Sequence, residues 1–246
     1  MGKPLDDVVP VLNTLHYLKL IGCPDVQQGQ GTPLFPQNNN GTWPLTPDMV
    51  AGHFYGPDDE RNFYIDVVAP SGQYMTKPEA KAPKAAAYIN HIVSAQGEFR
   101  LSDVPQDYAE PLTDPIVKKA NKYSTGRNGS PLFGFAAYFC DGAKYAGAVF
   151  SSLLFLSALN IRFGGVPVDD LEKQILGKND GHRLVRVNVA WPVPAAFVLF
   201  LRRRTNDNGS MVLFRNNTPA LQVHSNNRVM RWLWGDLSNF RLRKGK

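Results

Sequence analysis

The run SPLFGFAAYFCDGAKYAGAVFSSLLFLSALN (130 to 160) sets the first limit on the fold: it is apolar nearly all round, with Asp141 and Lys144 as its only charges. A segment without a polar face has to be covered on every side. Ser130 and Pro131 form a helix-start signal, and Gly164-Gly165 follows the run,. The pattern predicts a helix, or two broken at Asp141-Gly142, buried in the middle of the protein. Its longest uncharged part, YAGAVFSSLLFLSALN (145 to 160), lies between Lys144 and Arg162. It falls short of the ~20 residues of a spanning helix, so a core helix is expected and no transmembrane segment. A chain of 246 residues can supply such a core as one compact body with appendages,.

Around this centre the periodicity changes twice. LDDVVPVLNTLHYLKLIG (5 to 22) places Val8, Val11, Leu12, Leu15, Leu18 and Leu20 near helical spacing, interrupted by Pro10, with Gly22 as a C-terminal stop,. From Cys23 to about Asn62 the chain is rich in Gly, Pro, Asn and Gln and punctuated by Phe35, Trp43, Phe54 and Tyr55. So long a connection predicts an extended arm that packs on something. NFYIDVVAP (62 to 70) reads as a strand, KPEAKAPKAAAYINHIVSA (77 to 95) as a helix from Pro83 on, and TDPIVKKANKY (113 to 123) and VDDLEKQILG (168 to 177) as short helices,. RLVRVNVA (183 to 190), FVLFL (197 to 201), MVLFR (211 to 215) and RVMRWLW (228 to 234) read as strands, with a hairpin turn over 206 to 210,. The expected fold class is α+β. An N-terminal helix and extended Gly/Pro/Asn-rich arm occupy 1–62, and a mostly helical central core occupies 63–180. A basic C-terminal antiparallel β-sheet with a tail fills 181–246 and forms one compact unit with that core.

The net charge of +6 conceals a division. Arg183, Arg186, Arg202, Arg203, Arg204, Arg215, Arg228, Arg231, Arg241, Arg243, Lys244 and Lys246 face only Asp207 and Asp236 in the C-terminal segment, a local net of +10. The remaining 15 basic and 19 acidic residues leave the body at −4. Guanidinium binds phosphate through a two-pronged fork and stacks on flat rings, so arginine over lysine favours nucleic acid as the partner. Phe197, Phe200, Phe214, Trp232, Trp234 and Phe240 are interleaved with these arginines, and Asn206, Asn208, Asn216, Asn217, Asn226 and Asn227 add neutral donors and acceptors. Aromatics stacked on bases beside arginines on the backbone are the means of sequence-tolerant single-strand binding. The opposing reading is that FVLFL is buried on both faces, that Trp232 and Trp234 are core, and that Arg202 to Arg204 are a solvated strand end. An acidic protein partner, or the chain's own acidic body, fits the charge second; an anionic membrane surface fits third.

Residues for catalysis are harder to find. His16, His53, His91, His182 and His224 show no metal-ligand spacing, and neither GxSxG nor a nucleotide-binding glycine loop occurs,. Asp58-Asp59-Glu60 beside His53 could hold a metal or perform acid/base chemistry, although PDDER is also an ordinary exposed turn. Cys140, in an apolar run, reads as an inert small hydrophobe. Two cysteines in dissimilar contexts make no disulfide framework, and MGKPLDDVVP lacks the pattern of a signal peptide,. The expectation is an intracellular, reducing location, in cytoplasm or virion.

FGFAAYFCDGA (133 to 143) resembles the F-A-A-F-D-F-F-D-G-like core motif of coat proteins from flexible filamentous plant viruses, over eleven residues and with a one-residue deletion. On a helix that deletion turns every later residue by about 100°. Those coat proteins are mostly helical, whereas this chain is expected to end in a sheet, so membership of the family is not inferred. The leading functional expectation is a non-enzymatic structural protein, coat- or nucleocapsid-like. It would associate with itself or other subunits and bind single-stranded nucleic acid, RNA above DNA, through the arginines and lysines named, without a cofactor or metal. The alternatives are an accessory subunit of a large complex, docking through its arm and basic sheet, and an enzyme acting on a polyanion.

Overall fold

Residues 5–29, 47–53, 61–68, 113–121, 132–140, 158–160, 162–163, 185–191, 195–203, 210–218, 221 and 226–235 are described in the computed structural model of the chain. Their elements are, in order, α1 (Leu5–Leu20), β1 (Gln27–Gln28), β2 (Met49–Ala51), β3 (Phe63–Val68) and a helix α2 over 113–121. Then come β4 (Leu132–Cys140), β5 (Val185–Val189), β6 (Phe197–Arg203), β7 (Ser210–Asn216) and α3 (Arg228–Trp234). The strands form one sheet in the order β1-β2-β3-β4-β6-β7-β5. β3, β4 and β6 are parallel, β2 and β7 run antiparallel to β3 and β6, and β5 is parallel to β7.

Helices and a multi-stranded sheet are both present, as the sequence predicts, but the arrangement corrects three expectations. The central apolar run does not open as a helix: Leu132–Cys140 is a strand, buried from Leu132 to Tyr138. A parallel strand covered on both faces has no polar side, so its sequence shows no alternation. The sheet, secondly, is neither confined to the C-terminal segment nor wholly antiparallel, because β1, β2 and β3 belong to it and β4/β6 and β5/β7 are parallel pairs. The flanks of the presumed arm are thereby built into the fold, while 30–46 and 54–60 lie outside the described residues. Third, RVMRWLW is helix α3, not a strand. The Asn227 side chain caps it by accepting from the backbone N–H of Val229 (2.9 Å) and Met230 (3.4 Å),. Val229, Met230, Trp232 and Leu233 then fall on one buried face, and Arg228 and Arg231 on the exposed one. The expected helices at 77–95 and 168–177 and the hairpin turn also lie outside the described residues.

Both sheet faces are covered. On one, Phe63, Ile65, Phe197, Leu199 and Leu213 pack with Leu18 of α1 and the buried face of α3. Cross-links reinforce this layer: Asn13 Nδ2 donates to Tyr138 Oη (3.0 Å) and Trp232 Nε1 to the Ile21 carbonyl (3.0 Å). On the other face Trp191 lies between Phe163 (5.7 Å) and Phe214 (6.1 Å), and α2 buries Ile116 and Ala120. α1 runs through Pro10 and buries a narrower face than its spacing suggests, leaving Val9, Leu12 and Leu20 exposed.

The end of α1 is the one expected. Gly22 adopts φ 77°, its N–H donates to Lys19 O (3.1 Å), and the N–H of Cys23 donates to Leu18 O (2.9 Å), which is a Schellman cap,. Gly22→Ala should cost about 1 kcal/mol, since Cβ is disfavoured in the left-handed region. A urea denaturation midpoint unchanged by this substitution would show that the cap contributes nothing.

Candidate nucleic-acid interface and a buried carboxylate pair

The sheet distributes the arginines rather than gathering them. Arg202 and Arg203 occupy the carboxyl end of β6, paired in register with Phe139 and Cys140 of β4. Arg215 pairs with Phe197, at the opposite end of that strand. The side chains of Arg202 and Arg203, and Arg183, Arg204, Arg241, Arg243, Lys244 and Lys246 entirely, lie outside the described residues. On α3, Arg228 Nη1 meets Asp25 Oδ2 at 2.6 Å in a half-exposed pair, which solvent screens to little net stabilisation,. Arg231 is exposed, without a side-chain partner among the described residues.

Arg215 is fixed from three directions. Its Nε donates to Asn188 Oδ1 (3.0 Å), Nη1 donates to the Leu233 carbonyl (3.2 Å), and the guanidinium sits 4.8 Å from the centre of the Trp234 ring. β5 and β7 make this possible because Asn188 and Arg215 are partners in register, on the face that carries α3. A cation at the last carbonyls of a helix is favourable in itself. Burial lowers the pKa of this guanidinium from its ordinary value, and the charge of Arg186 lowers it further; it remains a cation at any physiological pH.

Of the two readings of the aromatics interleaved with the arginines, the core reading is the one observed among the described residues. Phe197, Phe200, Phe214 and Trp232 are buried, and Trp234 is half-buried under Arg215. The reading of FVLFL as a strand buried on both faces is the one observed. Asn216, named from sequence as able to reach sugar or base, is fully buried: Oδ1 accepts from Trp191 N (3.0 Å), and Nδ2 donates to Trp191 O (3.2 Å) and Ala195 O (3.0 Å). It pairs the backbone of the segment leading into β6, groups that would otherwise be buried unsatisfied.

Sequence reasoning missed a second constellation. Asp66, on β3, and Asp48, just before β2, stand side by side: Asp48 N–H donates to Asp66 Oδ1 (3.1 Å) and Val67 N–H donates to Asp48 Oδ2 (2.9 Å). Lys119 of α2 lies 3.1 Å from Asp66 Oδ2 and 3.6 Å from Asp48 Oδ2. The Asp66 side chain is 1% exposed, Asp48 16% and Lys119 32%, so solvent reaches the lysine and the second acid. Burial holds the Asp66 carboxyl above its ordinary range; Lys119 pulls it down, Asp48 pushes it up, and the Asp48 N–H pulls it down,. The signal in the sequence was an aspartate inside the apolar strand FYIDVV, a position that demands a partner. His53 is described and exposed, while Asp58, Asp59 and Glu60 lie outside the described residues.

Among the described residues no group of three or more His, Cys, Asp or Glu could hold a metal ion, and no helix is long and apolar enough to cross a membrane. Comparison with protein-family models, curated proteins and solved structures finds no match.

Proposed function

We propose that the protein is a non-enzymatic assembly protein of coat or nucleocapsid type, which associates with itself or other subunits and binds single-stranded nucleic acid, RNA above DNA. The observation that carries this reading is the +10 net charge of residues 183–246 on a body of −4. It is supported by the exposed guanidinium of Arg231 and by the end-of-strand position of Arg202 and Arg203. Contacts to phosphate from a surface of this kind fix position and carry affinity without reading sequence.

The test is a titration of the full chain with a labelled single-stranded oligonucleotide at several salt concentrations. Binding should weaken linearly in log K against log salt, with about −0.7 of slope for each phosphate neutralised. Absence of binding near ~50 mM salt, or affinity indifferent to salt, contradicts the nucleic-acid reading and leaves an accessory subunit docking on protein. Light scattering at rising concentration tests assembly, and a strictly monomeric chain argues against a coat.

One observation favours a second reading, an enzyme acting on a polyanion. Asp48, Asp66 and Lys119 bring two carboxylates and an ammonium within ion-pair distance, with Asp48 and Lys119 open to solvent, and a buried acid of raised pKa beside such partners is a functional-site candidate,. In that reading Lys119 and Asp48 meet the substrate and Asp66 governs their charge. Turnover of a labelled polynucleotide, abolished by Lys119→Met with binding retained, would establish it.

A further inference from the structure

On the face covered by α3, the edge of the sheet presents two guanidiniums and no carboxylate from its own elements: β5, β7 and α3 contain no acidic residue. Arg186 and Asn188 alternate along β5, and Asn188 is the register partner of Arg215 on β7. Arg186 is therefore diagonal to Arg215 on the same face, a separation of about 7–8 Å between backbones that long side chains bridge. Of the five N–H donors of a guanidinium, Arg215 commits one on Nε and one on Nη1. The other three, including both on Nη2, have no partner among the described residues. The clamp formed by Asn188, the Leu233 carbonyl and the Trp234 ring fixes the plane of the group. That removes the rotamer entropy a free arginine loses on binding. The charge of Arg186 reaches Arg215, where it adds to the effect of burial on that guanidinium.

From this placement we infer that Arg215 and Arg186 form a phosphate-binding subsite, in which Arg215 offers its uncommitted donors to the oxygens of a phosphodiester and Arg186 completes the charge. The inference rests on the polyanion reading above and assigns it one location, the β5/β7 edge beside the end of α3. It makes Arg215 a positioned ligand group in addition to a helix clamp. The phosphate of a nucleic-acid chain is the ligand; free phosphate shares its chemistry and is separated by experiment.

The full-length protein and its Arg186→Gln, Arg215→Lys and Arg231→Ala variants are titrated with a labelled single-stranded oligonucleotide across a salt series, with near-UV circular dichroism as the check of fold. Arg186→Gln should weaken binding about tenfold at low salt and lower the salt slope by about 0.7, the share of one phosphate. Arg215→Lys keeps the charge and loses the fork, so its affinity should fall by a similar factor with the slope nearly unchanged. A purely structural Arg215 predicts altered stability without this split. Wild-type binding that both folded variants reproduce overturns the subsite while the nucleic-acid reading stands; loss seen only with Arg231→Ala moves the contact to α3 and overturns it too. No binding by the wild type overturns both readings together. Inorganic phosphate that competes at equal ionic strength as effectively as the oligonucleotide would reassign the site to a free anion.

Discussion

Replacing Phe197 by alanine should lower folding stability by about 3–5 kcal/mol, the range for a large aromatic removed from a core. Phe197 is fully buried in β6, stacked on Phe63 with ring centres 5.6 Å apart and planes at 4°, and edge-on to Trp232 at 6.2 Å. The ring has this room because its register partner on β4 is Gly134. A Cβ built there would stand 2.6 Å from Cε1, 2.7 Å from Cζ and 2.8 Å from Cδ1 of Phe197. Gly134→Ala alone should therefore cost about 1–3 kcal/mol by overpacking. The two changes together should cost less than their sum by at least ~1 kcal/mol, since the new methyl enters space the ring has left. Phe197→Leu supplies a milder background for the same cycle if the alanine variant does not fold. Urea denaturation of the four proteins measures the coupling, and additivity within ~0.3 kcal/mol would show that Gly134 serves the backbone and not the ring.

That contact also shows why the centre of the fold reads locally as helix. An apolar run of nine residues with both faces buried is equally consistent with a strand and with a stretch of core helix. What distinguishes β4 is its content of Phe and Tyr and a glycine opposite an aromatic, and the second fact depends on a strand 63 residues further along. Local signals were sound where chemistry is local: the Gly22 stop of α1, the start of α2 at Thr113, and the alternating Val185, Val187 and Val189 of β5. α3 was the exception, because the β-branched and aromatic content of RVMRWLW favours a strand, whereas Val229, Met230, Trp232 and Leu233 recur at the spacing of a helix that Asn227 caps,. Sheet order was out of reach, since β5 pairs with β7 in parallel and not with the strand that follows it.

The candidate site divides in the same way. Net charge is additive along the chain, so the basic character of the C-terminal segment follows without three-dimensional contacts. Whether a given polar residue faces water does need them: Asn216 is committed to the backbone at Trp191 and Ala195, and Arg215 to Asn188 and Leu233. The carboxylate pair joins residues 18 positions apart, and its lysine comes from a helix 53 positions beyond Asp66. Nothing in the local sequence of Lys119 separates it from a solvated helix lysine.

Lys119→Met should destabilise the protein by about 2 kcal/mol at neutral pH, below the 3–5 kcal/mol of a fully buried pair because solvent reaches the lysine,. The loss should shrink as pH falls. Asp66 has a folded pKa above its ordinary value of 3.8, chiefly through burial, so the native state holds its proton more tightly than the unfolded chain. Its contribution to stability is therefore greatest below the unfolded value and declines as pH rises through the folded one, the reverse of a salt-bridged acid. Removing Lys119 removes the strongest influence holding that folded pKa down, which lifts it further and widens the window. The difference in urea midpoint between Lys119→Met and wild type, followed from neutral pH down to the ordinary aspartate value of 3.8, should close progressively, because groups common to both proteins cancel,. Asp66→Asn in the Lys119→Met background should flatten that difference. A pH-independent gap would mean that Lys119 stabilises through its packing on α2 and not its charge. A gap that closes makes Asp66 a proton-binding group beside Asp48 and Lys119, the property a catalytic reading of this cluster requires and a mere closure of the β2/β3 ladder does not.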